Sequence, residues 1–222
     1  MSESIPLKEL TERLERYEAY AAELKLQDPV AAQAGWDTIS VPYFTVDQRR
    51  VKITSPQTAL LRVSYLASLT SSIFLIIGLI TLMILSQQDF NDLSEDLERL
   101  LMFLCPGLAF TLMGAQFLYK TNIFQRFDRH LGVYWRGFRQ PQLSPDIRSN
   151  AELVLLKDVY AVQVTYSQGR YKRSYYCEAQ VHLVLKDGSR CPVIQGRDLV
   201  LIRFDAEQLS QFLNVKLWSH KF

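Results

Sequence analysis

Two long uncharged runs constrain this chain more than any other feature. Residues 63–86, VSYLASLTSSIFLIIGLITLMILS, and 100–119, LLMFLCPGLAFTLMGAQFLY, hold no Asp, Glu, Lys, Arg or His over 24 and 20 positions. About 20 apolar residues in a helix cross a hydrocarbon layer of ~30 Å. Both runs meet that length, and two such helices would fill most of a small soluble domain, so the expectation is a transmembrane helical hairpin. The first run begins too far into the chain for a cleaved signal peptide, and no small-residue cleavage pattern follows it. With no charge inside either run, the pair reads as an anchor and not as an ion pathway. Gly78, Gly107, Ala109, Gly114 and Ala115 are expected to let the two helices approach closely. Pro106 is read as sitting near a helix start, where its missing N–H costs little.

The loop between the runs, 87–99, carries Asp89, Asp92, Glu95, Asp96 and Glu98 against a single Arg99. Basic residues stand at the outer ends instead: Arg49, Arg50, Lys52 and Arg62 before the hairpin, Lys120, Arg126 and Arg129 after it. Lys and Arg are retained on the cytoplasmic side, which predicts both termini in the cytoplasm, the acidic loop outside, and a multi-pass protein of the inner (cytoplasmic) membrane. Leu93, Leu97 and Leu100 at helical spacing predict that the second helix begins inside the loop, where acidic residues suit its dipole.

Charge then divides the chain into three. Residues 1–61 are net −2, 62–119 net −3 and 120–222 net +7. The expected organisation is an N-terminal amphipathic helix and connector over 1–61, a hairpin over 62–120, and a cytoplasmic β domain over 121–222. In the first part Leu7, Leu10, Leu14, Tyr17, Ala21 and Leu24 recur at alternating spacings of three and four. Two readings are open for that stripe: packing on the globular domain, or a short coiled-coil contact with a partner or a second copy of the chain. The stretch ISVPYFTV that follows is strand-like but interrupted by proline, and is read as connector.

Past residue 123 the texture is that of short strands. IFQRFDRHLGVYWRGF predicts a hairpin, and Gly169-Arg170 a second turn. In YYCEAQVHLVLKDGSRCPVI, Cys177, Ala179, Val181, Leu183 and Leu185 alternate on a core face. Glu178, Gln180 and His182 are expected on the exposed face, with Asp187-Gly188 as a tight turn. RFDAEQLSQFLNVKLW predicts a terminal helix capped by Asp205 and Gln208, stapled by Phe204 with Leu209, and buried through Leu209, Phe212 and Leu213. The fold class is thus α+β: two transmembrane helices and a small antiparallel β barrel or sheet with a C-terminal capping helix. A membrane hairpin followed in order by IFQRFDR, LKDVYAVQV, YYCEAQVHLVLKDGSR and FDAEQLSQFLNVKLW resembles the bacterial membrane proteins that carry a PH-like domain behind such a hairpin. The resemblance spans roughly residues 60–222. It implies a seven-stranded barrel capped by a helix, and a role in binding or assembly.

No signature of chemistry accompanies this pattern. GxxxxGK[ST], GxGxxG after a strand, GxSxG and HExxH are all missing from the sequence, and no Ser, His and Asp stand in a triad order. Cys105, Cys177 and Cys191 make no metal spacing and read as buried thiols of a reducing compartment. Catalytic residues, metal and cofactor are therefore expected to be none, and the chain is read as a non-enzyme. What remains is a basic, aromatic-rich surface: Arg170, Tyr171, Lys172 and Arg173 in one hairpin, and Arg126, Arg129, Arg136 and Arg139 in another. These are the candidate contacts with a membrane-associated protein partner or anionic lipid; nucleic acid is disfavoured for want of a motif. Two other classes stay open, an immunity-type protein whose hairpin neutralises a toxin in the membrane, and an accessory subunit of a membrane enzyme or transport complex.

Overall fold

The structure, a computed structural model, describes residues 6–39, 49–63, 65–87, 93–142, 149, 152–171 and 174–220. The chain divides into two compact units, a globular one made of 1–62 with 124–222 and a helical one made of 63–123.

The helical unit pairs α3 (Tyr65–Ser86) with α4 (Leu93–Asn122). Both are long and apolar enough to cross a membrane. Their contact is made by small residues. A side chain at Gly78 would collide with Thr111, and one at Gly114 with the backbone of Leu75. Ala109 and Ala115, also expected there, are exposed. Stacking of Phe74 on Phe110, with centroids 6.0 Å apart, fills the space beside the glycines. Thr111 and Thr81 return their hydroxyls to Gly107 O and Ile77 O, so they satisfy themselves within their own helices. Because α4 already begins at Leu93, Pro106 falls in the helix interior and not near its start. It leaves the Met102 carbonyl without its usual partner. Asp89 and Asp92 of the acidic loop lie outside the described residues, as do the side chains of Glu95, Asp96, Glu98 and Arg99.

The globular unit contains α1 (Leu7–Gln27), the short α2 (Pro29–Gln33), α5 (Leu199–Leu213) and two sheets. One sheet runs β1 (Arg49–Ser55), β2 (Thr58–Val63), β3 (Gln125–Asp128), β4 (Val133–Arg136) and β5 (Leu153–Leu155), each beside the next. The other runs β8 (Arg190–Gly196), β7 (Ser174–Leu185), β6 (Val159–Tyr171) and β9 (Lys216–Trp218). Pairing is antiparallel in β2–β5 and β6–β8, and among the described pairings only β9 lies parallel to its neighbour, β6. The chain is therefore α+β with antiparallel sheets and two apolar helices. The first predicted hairpin forms as β3 and β4, and Gly188 supplies the left-handed φ of +79° for the turn before β8. The residues read as connector contribute β1 and β2, while 40–48, most of ISVPYFTV, lie outside the described residues.

Three expectations are corrected. Gly169 and Arg170 do not turn; they stay in the ladder opposite Tyr176 and Tyr175, which continues to Tyr171 opposite Ser174. The Tyr176 ring lies across Gly169, where any side chain would strike it. Asp205 does not cap α5, because the helix starts at Leu199 behind the N-cap Asp198, whose Oδ1 accepts from Leu201 N at 3.0 Å. His182 and Gln180 are not exposed: β7 is buried on both faces from Ala179 to Leu185. The reason is that the segment after α2 covers the second face, through Gly35, Asp37 and Ile39.

Candidate functional site

Strand register decides where the first set of predicted contacts goes. Arg126 is opposite Trp135, and Gln125 is opposite Arg136, so Arg126 and Arg136 lie on opposite faces of the sheet. Arg126 sits over the Trp135 ring at 5.6 Å and approaches Asp128 Oδ2 at 3.4 Å. Arg129 belongs to the β3–β4 turn, over the Phe212 ring at 5.7 Å. Arg139 is exposed beyond β4. The four arginines are not one cluster.

The second set sits on the long β6–β7 hairpin. Lys172 and Arg173 lie outside the described residues, as do the side chains of Arg170 and Tyr171. Below them, Arg197 stacks on Tyr176 with its Cζ 4.0 Å from the ring centroid. This cation, donated by the turn before α5, links the hairpin to the start of that helix. Nothing local in the sequence pairs residues 176 and 197.

The heptad stripe is spent inside the fold. Leu10, Tyr17 and Ala21 are buried, Leu14 and Leu24 pack on the core, and only Leu7 is exposed. Tyr17 donates its hydroxyl to Trp36 O at 3.1 Å and meets the Tyr166 ring edge-on. Trp36 stacks on Trp218, centroids 5.8 Å apart. α1 therefore packs on the globular core through this stripe, of which Leu7 stays exposed.

A latch holds this arm to the second sheet. Asp28, the N-cap of α2, accepts from Lys216 Nζ at 3.0 Å and Tyr160 Oη at 2.9 Å, and Lys216 also reaches Tyr160 Oη at 2.9 Å. Burial alone would raise the Asp28 carboxyl; the hydrogen bonds from Lys216, Tyr160 and Val30 N outweigh it and hold it below the usual range. The Tyr160 hydroxyl and Asp28 raise the Lys216 ammonium, so it stays charged. An open groove of about 430 Å³ lies beside the latch, lined by Tyr20, Leu24, Gln27 and Trp218 among others. The two charged groups lining it, Asp28 and Lys216, are engaged with each other, so the arrangement fastens the arm.

Two buried groups escaped the sequence reading. Asp205 Oδ2 accepts from Arg50 Nε at 2.7 Å, tying β1 to α5; burial raises this carboxyl despite the arginine. His182 Nε2 lies 2.9 Å from Thr165 Oγ1, and burial, with Arg190 adding to it, pushes the imidazole down to about 3. Cys177 and Cys191 are buried thiols, pushed up by burial to about 12 and about 11, whereas Cys105 is exposed on α4. Among the described residues, no three His, Cys, Asp or Glu side chains are grouped to hold a metal ion. For the exposed start of α5 the available sequence signal is LVLI at 199–202, more consecutive apolar residues than one helix face can bury.

No family model matches the sequence, and neither a curated protein nor a solved structure matches it.

Proposed function

We propose that this is a non-catalytic, membrane-anchored binding or assembly module, with a PH-like globular unit that contacts a membrane-associated protein partner or anionic lipid. The observation that carries the reading is how the anchor is inserted. α3 follows β2 after one residue, α4 ends two residues before β3 begins, and β2 and β3 are paired neighbours. The apolar hairpin is thus an excursion from within a sheet and not a tail, so a globular unit folded this way is held at the bilayer it serves. Such tethering raises its effective concentration against membrane-bound partners. Largely antiparallel sheets with a helix following β8 support the PH-like reading; the parallel β9 and the strands ahead of the apolar hairpin depart from it.

The basic flanks support the reading that both termini are cytoplasmic and the protein sits in the inner membrane. Arg49 and Arg50 still count toward this, although the fold buries the first and pairs the second with Asp205, because retention acts on the chain before it folds. The test is a pull-down from native membranes, wild type against Arg170, Lys172 and Arg173 all changed to Ala. A specific protein lost from the variant supports the module and names the hairpin as its surface. An unchanged partner set removes the hairpin from the reading.

A further inference from the structure

The globular unit has two distinguishable ends. At one end stand the turns: Arg129 N donates to Gln57 O, Leu156 N to Gly132 O and Lys186 N to Asp158 O. Phe212, at the close of α5, lies there under Arg129. At the opposite end of the first sheet Leu61 pairs with Gln125 and Gln125 with Arg136. Arg50, five residues back from the β1–β2 turn, holds Asp205 of α5 there. α5 therefore runs with its start toward the second end and its close toward the turns.

That second end is also where the chain leaves for α3 and returns from α4. Leu61 is four residues from Tyr65, and Gln125 three from Asn122. At ~3.5 Å per residue, no extended stretch of that length reaches beyond roughly 14 Å. The exposed apolar side chains gather at the same end. Of the eight large ones exposed in this unit among the described residues, five belong to it: Phe124, Phe138, Val200, Leu201 and Phe204. Phe124 and Phe138 meet edge to face at 6.2 Å, and Gly137 N donates to Phe124 O, so the pair is built on the strand ends. Val200 is 78% and Phe204 50% exposed, one turn apart on α5. Arg62, Arg139 and Arg197 are exposed around them. Of the acids at this end, Asp198 is occupied as the cap of α5, and Glu152 stands beside Arg136 at the sheet edge.

We infer that this end is a bilayer-docking face, in which the start of α5 and the Phe124–Phe138 pair enter the headgroup layer while the surrounding arginines meet anionic lipid. Aromatic rings and short apolar helix faces flanked by arginine suit that layer, since one side is apolar and the rim is wet. The inference rests on the reading that α3 and α4 cross a bilayer.

The experiment encodes a photoreactive diazirine side chain at single positions of the full chain in native membranes and identifies the adducts by mass spectrometry. Positions 204 and 138 probe the face, Leu26 and His130 the rest of the unit, and Leu79 the span. Phospholipid adducts at 204, 138 and 79, with none at 26 or 130, are expected. Lipid adducts at 79 alone overturn the docking face and leave the anchor standing. Protein adducts at 204 and 138 also overturn it, making this end a partner surface. Absence of lipid adducts at 79 removes the spanning reading and this inference with it. The variant Val200→Glu with Phe204→Glu is expected to abolish adducts at 138 while those at 79 persist; retention at 138 would show that the start of α5 takes no part.

Discussion

In the helical hairpin the contact is lined by Gly78, Gly107 and Gly114 while Ile76, Leu79, Ile80 and Met83 face outward; in the globular unit Gln163, Thr165, Gln180, His182 and Asp205 are inside. On the proposed reading that α3 and α4 cross a bilayer, the two regions solve opposite problems. Lipid tails are as apolar as leucine, so helices in a membrane gain little by hiding large side chains and gain more by close backbone approach. In water the core must hide apolar area, and any polar group trapped with it needs a partner. The hairpin meets its polar needs locally, by Thr81 and Thr111 bonding to their own helices. The globular unit meets them at long range, as with Gln180, whose amide both donates to Ile39 O and accepts from Ile39 N at 3.0 Å.

That contrast is best tested where the globular unit depends on one distant partner. Arg50→Met leaves the buried Asp205 carboxylate without its charged partner and is expected to cost about 3 kcal/mol in urea unfolding followed by near-UV circular dichroism. Arg50→Met combined with Asp205→Leu should recover most of that loss. If the double variant is no better than the single, the pair is not the source of the effect.

In the hairpin the matching change is steric. Gly114→Val drives a side chain into the Leu75 backbone and is expected to cost about 2 kcal/mol when unfolding is driven by SDS in mixed micelles. This cost should not vary between neutral and mildly acidic pH. A neutral Gly114→Val would mean that the helices do not approach there.

A pH series sharpens the difference. Above pH 6.5 neither folded nor unfolded chain protonates His182. Below it the unfolded chain takes up a proton that the folded one accepts only near pH 3, so stability falls by about 1.4 kcal/mol per pH unit. His182→Leu should flatten that slope in the globular unit; an unchanged slope would assign it to other groups. The smallest effect is expected at the latch. Asp28→Ala removes the α2 cap and should cost about 1 kcal/mol, and Asp28→Asn less, read by urea midpoint. Equal losses in the two variants would show that the cap contributes little beside the charge.

Several parts of the fold were legible because their cause is local. The apolar runs, the a/d stripe of α1, the β3–β4 turn and Gly188 each express a preference of consecutive or nearly consecutive residues. The same locality explains the misreadings. Asp205 and Gln208 make a fair capping box as a string, but Asp198 begins the helix and Arg50 claims Asp205. The alternation in β7 assigned His182 to solvent because it assumed one covered face; the segment at Gly35–Ile39 supplies the second cover. The candidate arginines were grouped by adjacency in sequence, and period-two geometry divided them between faces. Phe204 reads as a staple from sequence and Val200 and Leu201 draw no notice, because their exposure depends on which side of α5 the sheets occupy.

By itself the sequence determined that two helices are apolar enough to leave water, where charge is withheld and supplied along the chain, and which residues repeat at helical or strand spacing. Hydropathy and period are properties of a few residues in a row, and no folded partner is needed to establish them. Only the tertiary structure decided that α1 belongs to the core, that Asp28, Tyr160 and Lys216 meet, and that the exposed apolar side chains share an end with the exits to α3 and α4. Those facts depend on pairings across tens to more than a hundred residues, which compactness brings together and local preference does not encode.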